Sequence, residues 1–397
     1  MSSDAAARAA TRTRRNRGRQ IRRRRIVALV ALALVVATVP AAYSYVTTML
    51  QPSSLPLTIR TVEWVRDHHG AWLVNAAERY YYSWTAPKKG EPPLISLPAV
   101  GVTGSHASLP KDRLVYGPPP IRPVIVPALE REGVWRPAGV PVNGGSPVLV
   151  TVFRPEPDFP RILAYVAWID TARTQLALYP GRYEPPSGSP RGPMAVPFGE
   201  RSRLLATFNS AFKHKDGRGG FAVNGHVYEP LRNGMATLVG YRDGHVDIVA
   251  WRGGPTPRST IVLARQNLPL IVNGGKPNPS LRNDSLWGYT LGNSTMVWRT
   301  GIGVDAKGNL IYLAAPDQTA QSLATALAHA GAVRAMELDI NAEWPSFMTY
   351  RQPGARRAVK LVPNLNQPAT RYLVPDDRDF FAVYERRPGQ SFAVPFK

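Results

Sequence analysis

Cysteine is absent from the 397 residues of this chain. Its absence excludes a disulfide scaffold, metal sites built on cysteine ligands and a thiol nucleophile. We expect no cofactor and no bound metal. The turn Asn-Gly-Gly-Lys at 273–276 lacks the spacing and the helix of a phosphate-binding loop. The adjacent His68 and His69 point to different faces of a predicted helix, which makes them a poor metal pair.

Charge is also missing from one long stretch, because no charged residue occurs between Arg25 and Arg60. Within it, Ile26 to Val46 is apolar and long enough to cross a hydrocarbon core of roughly 30 Å as a helix. Pro40 lies late in this segment, where it can kink or end the helix. We therefore predict a single transmembrane signal-anchor helix at 26–46.

The segment before this span is strongly basic. Residues 1–25 contain one acid, Asp4, and ten arginines, which give the tail a net charge of +9 out of the total of +22: Arg8, Arg12, Arg14, Arg15, Arg17, Arg19, Arg22, Arg23, Arg24 and Arg25. Because basic residues stay on the cytoplasmic side of a span, the tail is predicted inside and the rest of the chain outside the cytoplasmic membrane.

Two other interpretations of this region were weighed. The context Val39-Pro40-Ala41 would tolerate cleavage of a signal peptide. An arginine-rich tail can also bind nucleic acid. Placed directly before an apolar span, however, the tail is better explained as a topology signal that also contacts anionic lipid headgroups. We therefore expect the membrane, and no nucleic acid, as a partner of this end of the chain.

The remaining sequence divides into a connecting region at 47–145 and a main domain at 146–397. Apolar residues recur at helical spacing over 59–83, which predicts a helix that packs on the main domain or lies near the membrane surface. Residues 86–160 contain 16 of the 39 prolines. Proline removes a backbone donor, so this stretch is predicted to be extended chain and loops, part spacer and part covering layer.

The main domain is predicted to consist mostly of antiparallel β-hairpins with a few packed helices, an α+β fold. Strand patterns and turn residues predict four hairpins. Their strand pairs are 162–169 with 174–179, 221–223 with 226–228, 237–241 with 245–251, and 301–305 with 309–314. A helix follows the fourth hairpin, with Asp317 or Thr319 as its cap and Gly331 at its end. It leads into a strand at 333–340.

Candidate catalytic residues begin with two carboxylates on this last strand. Glu337 and Asp339 are two positions apart, so strand alternation places both side chains on one face. Such a pair can supply an acid and a base, or an acid and a nucleophile, to glycosyl transfer. Glu343, in the loop that follows, is a third candidate. Taken alone, the first two are better explained as surface acids in salt bridges.

Candidate anion-binding residues follow two other strands. Asn209 comes directly after an apolar strand, where its amide could donate to a sugar or phosphate oxygen. Lys213 and His214 belong to a cationic cluster suited to an anion, although a solvated basic loop is an equal alternative. Arg299 opens a glycine-containing strand, from which it could reach a phosphate, or it could pair with a local acid.

Taken in order, these segments resemble the phosphodiester glycosidase family. The pieces that carry the resemblance are FNSAFK at 208–213, FAVNGHVYE at 221–229, LPLIVNGG at 268–275, RTGIGVDAKGNLIYL at 299–313, TAQSLATALAHAGA at 319–332 and MELD at 336–339. The resemblance extends over about residues 145–385. It implies that Asn209, Arg299 and Asp339 lie at the family's active-site motifs.

Two motifs depart from the family pattern. The family usually carries Asn-Gly-Gly-aromatic where this chain has Asn-Ser-Ala-Phe at 209–212, and a glycine-rich, serine-containing stretch where this chain has 340–344. Loss of glycine changes how closely the backbone can approach a substrate. Either the substrate differs or catalysis has been lost. Asn341, Glu343 and Trp344 could rebuild a site, with Trp344 as a platform on which a sugar stacks.

The sequence thus predicts a membrane-anchored extracytoplasmic hydrolase that acts on sugar-phosphate linkages of envelope glycans. In this hypothesis Asp339 is the base or nucleophile, and Glu337 or Glu343 is the acid. Arg299 and Asn209 bind the phosphate and the developing oxyanion. The net charge of +13 on residues 26–397 favours a polyanionic substrate. The alternatives are a non-catalytic protein that binds or scaffolds an envelope polymer on the same fold, and a membrane-tethered partner in a protein assembly.

Overall fold

The computed structural model describes residues 3–100, 117–187, 191–282, 287 and 296–387, with only the backbone for 3–19. The last ten residues of the predicted main domain lie outside these ranges. Helix α1 (Ser3–Leu50) includes the basic tail and the apolar segment and continues past Pro40. Its portion Gln20–Leu50 is long and apolar enough to cross a membrane. By length and composition, this describes an anchor and a signal sequence alike.

The predicted helix over 59–83 forms as two helices with a kink between them. Helix α2 (Leu57–Val65) runs into a short π-helical segment (Arg66–Gly70), and helix α3 (Ala71–Thr85) follows. The kink lies at the two histidines, since His68 leaves helical geometry and His69 has a φ of 65°. We refer to residues 51–85 as the helical cap, because they pack over one end of the main domain.

Three antiparallel sheets make up most of the main domain, in agreement with the predicted predominance of antiparallel sheet over helix. The largest has eight strands in the order β1-β2-β3-β14-β13-β15-β11-β12. In chain order these are β1 (Arg136–Ala138), β2 (Val148–Phe153), β3 (Ala164–Ile169), β11 (Val272–Asn273), β12 (Lys276–Pro277), β13 (Val297–Val304), β14 (Leu310–Gln318) and β15 (Arg334–Ile340).

The two smaller sheets have five strands each. One has the order β7-β6-β10-β8-β9 and contains β6 (Phe221–Val223), β7 (His226–Glu229), β8 (Ala236–Tyr241), β9 (Val246–Ala250) and β10 (Ile261–Asn267). The other has the order β17-β16-β5-β18-β4 and contains β4 (Thr174–Tyr179), β5 (Leu204–Asn209), β16 (Phe347–Gln352), β17 (Arg356–Lys360) and β18 (Phe380–Glu385).

Three of the four predicted hairpins are confirmed: β6 with β7, β8 with β9, and β13 with β14. The first prediction is wrong in its pairing. Both strands form, but β3 pairs with β2 and β14, whereas β4 pairs with β18 near the end of the chain. The alternating pattern predicted that both segments are strands, but it could not predict which distant strands they pair with.

Helix α5 (Ala320–His329) packs on the large sheet over two glycines. Thr319 caps it, because its hydroxyl accepts from the Ser322 amide at 3.0 Å while the Ser322 hydroxyl accepts from the Thr319 amide. A Cβ on Gly301 would lie 2.6 Å from a methyl carbon of Leu327, and one on Gly303 would lie 2.6 Å from the Ala332 Cβ. The glycines therefore allow the close approach of the helix to the sheet.

The cores lie on the two faces of the large sheet. One joins the sheet to α5, and the proline-rich segment contributes Ile121 and Trp135 to it as a covering layer. The other is larger and joins all three sheets. Four short helices complete the described part of the main domain: α4 (His214–Gly217) and the 3₁₀ turns Phe198–Arg203, Pro279–Arg282 and Arg371–Leu373.

Leu327→Ala tests the packing of α5. Leu327 is fully buried against Gly301, so its truncation is expected to lower the free energy of unfolding by about 2–5 kcal/mol. Thr325→Ala, on the exposed side of the same helix, is the control and should change it by less than about 0.5 kcal/mol. Chemical denaturation of the full chain in detergent measures both. Equal stability of the two variants would contradict this packing.

Candidate functional site

Asp339 lies at the end of β15, where the eight-stranded sheet meets the five-stranded sheet that contains β5. Its backbone amide donates to the Ser210 carbonyl at 3.0 Å, and its own carbonyl accepts from the Thr300 hydroxyl at 2.6 Å. Its side chain is 10% exposed, and its Oδ2 lies 2.6 Å from Nη2 of Arg378. The main chain and the ion pair together fix the direction of this carboxylate.

The surroundings of Asp339 bring its pKa into the physiological range. Burial raises the pKa to about 7, although Arg378 and Lys213 each act to lower it and Asp379 raises it. Burial disfavours the charged form of a carboxylate, whereas a neighbouring cation favours it. At neutral pH the carboxyl therefore populates both protonation states, as a group that accepts or donates a proton during a reaction must do.

Arg378 belongs to a run of four charged residues, 376–379, that directly precedes β18. Within this run, Asp376 pairs with Arg371, Asp377 with Arg182 and Asp379 with Arg265, at 2.7–2.9 Å between the closest atoms. Arg378 itself also donates to the Ala211 carbonyl at 3.1 Å. A Cβ on Gly181 would lie 2.4 Å from the Arg378 carbonyl carbon, so this glycine allows the run to pack closely.

The charged run escaped the sequence analysis. The feature that could have revealed it is the sequence Asp-Asp-Arg-Asp immediately before an apolar strand. Four consecutive charged residues next to a buried strand indicate that each charge has a partner. Nothing local to the run reveals those partners, which come from positions between 182 and 371.

A cavity of about 380 Å³ opens between the main domain and the helical cap. On the domain side its wall includes Arg378, Lys213 and Trp344, and on the cap side it includes Glu63 and Trp64. Thr48, near the end of α1, also borders it. Arg378, which lines the cavity, is ion-paired to Asp339, so the guanidinium connects the cavity wall to the perturbed carboxyl.

Ion pairs and apolar contacts hold the helical cap over this cavity. Lys213 pairs with Glu63, and Lys215 pairs with Asp67 at 2.8 Å. Ser54 donates to Asp376 at 2.8 Å. The cap therefore supplies carboxylates to the lysines that the sequence marked as an anion-binding cluster.

The His214 side chain contacts residues other than those of the helical cap. Its Nε2 lies 3.4 Å from a carboxylate oxygen of Glu229, and its Nδ1 lies 3.3 Å from the Gly219 carbonyl. Its backbone amide donates to Glu184 at 2.9 Å. In this arrangement Lys213 borders the cavity and His214 orders the loop behind it.

Trp344 is covered rather than open to solvent, with 5% of its surface exposed. Leu55 and Ile59 of the helical cap pack against it. The guanidinium carbon of Arg378 lies 4.6 Å from its ring centroid, and Nζ of Lys213 lies 5.7 Å from it. A cation over an indole face is attracted by the ring quadrupole. The indole thus orders the cations beside Asp339, and a sugar could stack on it only after the cap moves.

Arg299 and Glu337 form a buried pair of their own. The guanidinium Nη1 lies 2.5 Å from Oε1 of Glu337, and both side chains are at most 2% exposed. Arg299 also donates to the carbonyls of Gln318 at 2.8 Å and Trp287 at 3.1 Å. Burial raises the pKa of Glu337, while Arg299 acts to lower it. These contacts favour a structural role for the pair, the alternative that the sequence left open for Arg299.

Asn209 is also bonded to protein through both atoms of its amide. Its Oδ1 accepts from the Tyr312 hydroxyl at 2.8 Å and from the Ser346 amide at 3.0 Å. Its Nδ2 donates to the Ser210 carbonyl at 3.1 Å and to the Thr300 hydroxyl at 3.0 Å. Since Thr300 in turn bonds the backbone of Asp339, Asn209 positions the end of β15.

The loop after β15 brings a second perturbed carboxyl toward the helical cap. Burial, together with the Glu78 carboxylate, raises the pKa of Glu343 to about 7. Among the described residues, no hydrogen-bond partner reaches Oε2 of Glu343. Asn341 has a φ of 83° and a hydrogen bond to the side chain of Glu78. Glu343 and Asn341 therefore lie where the loop meets the cap.

Metal binding finds no support in the part of the chain that the structure describes. No group of three or more histidine, aspartate or glutamate side chains there has the arrangement of a metal site. The chemistry of the site, as described, rests on carboxyls, cations and aromatic rings.

Arg299→Met tests the structural role of the buried pair. Removing one partner leaves the Glu337 charge buried without compensation, so we expect a loss of about 3–5 kcal/mol in the free energy of unfolding. Arg161→Met is the control, because Arg161 is 54% exposed and lies 3.7 Å from Glu91; it should cost less than about 1 kcal/mol. If Arg299→Met unfolds at the same denaturant concentration as the unaltered chain, Arg299 is free for another role.

Comparison with known proteins identifies one family. Residues 203–339 match the phosphodiester glycosidase family. This range contains all the segments on which the sequence resemblance rests and ends at Asp339. A search of curated proteins gives no significant match.

Among the solved structures that match the chain are the following three, each at 12% identity. The catalytic domain of the zebrafish N-acetylglucosamine-1-phosphodiester α-N-acetylglucosaminidase, auto-inhibited by its pro-peptide, has a TM-score of 0.43, over 64% of this chain and 88% of that one. A hypothetical protein from Synechocystis has a TM-score of 0.35, over 63% and 64%. A putative exported protein from Burkholderia pseudomallei has a TM-score of 0.25, over 58% and 75%. The similarity to the phosphodiester glycosidase family therefore applies to residues 203–339.

Proposed function

We propose that this protein is a membrane-anchored hydrolase that cleaves the glycosidic bond of sugar-phosphate linkages in envelope glycans, outside the cytoplasmic membrane. The observation that carries the proposal is the environment of Asp339. Its carboxyl is buried and has a pKa of about 7, and the two cations that lower this pKa, Arg378 and Lys213, line the cavity. The family match to residues 203–339 supports the same chemistry.

The proposed orientation follows from the amino-terminal charge. Six arginines precede the candidate span Gln20–Leu50, and four more, Arg22 to Arg25, lie at its start. The next charged residue after Arg25 is Arg60. Basic flanking residues remain in the cytoplasm. The tail is therefore inside, and the cap and main domain are outside, where envelope polymers occur.

In the proposed reaction, the bond between the anomeric carbon and the phosphate oxygen breaks, and the oxygen of a water molecule bonds to that carbon. Asp339, in its carboxylate form, takes the proton of the water or attacks the carbon itself to form an ester that water then hydrolyses. Glu343, protonated near neutral pH, donates a proton to the departing phosphate oxygen. The products are the free sugar and a phosphate monoester.

The cations beside Asp339 are proposed to bind the phosphate. Arg378 presents a guanidinium, which suits two phosphate oxygens, and Lys213 adds a second positive charge. We assign this role to them rather than to Arg299 and Asn209, whose polar groups bond other parts of the protein. An anionic substrate would compete with Glu63 for Lys213, so binding is expected to loosen the helical cap.

The competing proposal is a binding module without catalysis. The ion pair between Asp339 and Arg378 favours it, because a paired acid needs no catalytic explanation. The burial of Trp344 opposes it, because such a module should offer an open aromatic surface. Turnover by the full chain separates the two proposals.

Asp339→Asn provides the direct test. The full chain in nanodiscs is assayed on sugar 1-phosphodiesters, and the substitution should lower kcat by about 10²–10⁴-fold, since it removes the acid–base group and keeps its shape. Asp158→Asn is the matched control, because Asp158 is 67% exposed, and it should leave kcat unchanged. Equal turnover by the Asp339 variant would contradict the proposal. Substrate binding without turnover by either form would favour the binding module.

The pH profile gives a second test. Asp339 must be ionised and Glu343 protonated, so kcat/KM should rise and then fall about a maximum near pH 7. Glu343→Gln should remove the alkaline decline. Lys213→Met removes a cation that lowers the pKa of Asp339, so the acidic limb should move to higher pH. An unchanged acidic limb in the Lys213 variant would contradict this account of the site.

A further inference from the structure

Helix α3 exposes a continuous apolar face. Trp72, Tyr80 and Trp84 are 71%, 74% and 80% exposed, and Leu73 and Tyr81 are 54% and 56% exposed. These residues recur at intervals of four, together with the exposed Ala76 and Ala77, so they lie on one side of a helix with 3.6 residues per turn. We call them the aromatic stripe.

The opposite side of α3 is held by the protein. Val74 is buried, and Glu78 pairs with Arg66 at 2.8 Å and bonds the side chain of Asn341. The rotation of the helix about its axis is therefore fixed, and the stripe faces outward. Of the two charged residues in α3, Glu78 is on the inner side and Arg79 lies at the edge of the stripe.

The composition of the stripe indicates what covers it. Contiguous exposed apolar surface of this kind marks an interaction site. Tryptophan and tyrosine combine an apolar ring with a polar tip, and they are enriched where one end is in hydrocarbon and the other in water. A helix with such a face and a polar opposite face lies in the plane of a membrane interface.

The helical cap that carries α3 is attached to the end of the candidate span through α2. Arg60 donates to the carbonyls of Thr48 and Met49 and so satisfies the last turn of α1. Tyr45 bonds Thr61 at 2.9 Å, and Trp64 donates to Ser44 at 3.2 Å. Because the span ends at Leu50, these contacts hold the helical cap at the level where α1 leaves the hydrocarbon.

We propose that the aromatic stripe of α3 lies in the headgroup region of the outer leaflet of the membrane that α1 spans, so that the lipid bilayer is its partner. The stripe and α1 then form two points of attachment, and together they fix the main domain relative to the membrane. The cavity between the cap and the domain, which Thr48 borders, faces the bilayer surface in this arrangement. The proposal does not depend on the hydrolase activity.

The absence of cysteine makes the test direct, because any cysteine introduced is the sole labelling site. Tyr80→Cys and Trp84→Cys place a nitroxide spin label on the stripe, and Thr325→Cys places it on the exposed side of α5 as the matched control. Each full-length variant is reconstituted into nanodiscs of phosphatidylcholine and phosphatidylglycerol. Collision of the label with oxygen, which concentrates in lipid, is compared with collision with a water-soluble nickel chelate.

Labels on the stripe should show a ratio of oxygen to nickel collisions severalfold higher than the label at 325. Ratios equal to that control at both stripe positions would place the stripe in water and overturn the proposal. Spin–spin broadening that disappears on dilution with unlabelled chain would show that a second copy covers the stripe, and would overturn it equally. Two label positions ensure that a local disturbance at one does not decide the result.

Discussion

The ion pair between Asp339 and Arg378 connects the parts of the structure on which the site depends. Asp339 ends β15 in the eight-stranded sheet, and Arg378 lies two residues before β18 in a five-stranded sheet. At 2.6 Å between Oδ2 and Nη2, the pair joins the two sheets beside the cavity. Desolvation of both charges offsets much of their attraction, so such a pair specifies an arrangement more than it stabilises the fold.

Four other pairs are buried with both side chains at most 2% exposed: Arg154 with Glu132, Arg265 with Asp379, Arg299 with Glu337, and Arg371 with Asp376. These arginines can be buried because each is surrounded by a carboxylate and by carbonyl oxygens. The pair at Asp339 differs because its arginine, Arg378, lines the cavity under the helical cap. A substrate anion in that cavity could exchange with the existing partners of the cation.

A substrate can reach the site only if the helical cap moves. Glu63 forms an ion pair with Lys213, and Leu55 and Ile59 cover Trp344. The cap is linked to α1 by hydrogen bonds and to the main domain by two ion pairs, of which Lys215 with Asp67 is about half exposed and contributes little. The interface can therefore open locally at a lower free energy than the sheets beneath it. Because the cap is also joined to the candidate membrane span, the position of the span in the bilayer affects the opening of the cavity.

The sequence predicted those features that local chemistry determines. The turn at 224–225 and Thr319, one of the two candidate caps, each had a local chemical reason, and the hairpin and the helix formed. The packing role of the glycines at 301 and 303 was not predicted. The partner strand of β4 could not be predicted from the residue pattern of β4, because any other apolar strand could pair with it. For the same reason the charged run at 376–379 was missed: Asp339 was recognised as a candidate acid, but nothing near it in the sequence pointed to Arg378. Arg299 and Glu337 were recognised as chemically capable, while their mutual pairing depends on a register that only the folded sheet defines.

The most direct measurement is a structure of the full chain with a non-hydrolysable sugar 1-phosphonate. We expect the phosphonate oxygens to contact Arg378 or Lys213 and the anomeric carbon to lie about 3–3.5 Å from a carboxylate oxygen of Asp339. We also expect Glu63 to be no longer paired with Lys213. An analogue bound on another surface, or one bound in the cavity with Asp339 still turned away from the sugar, would contradict the proposed function.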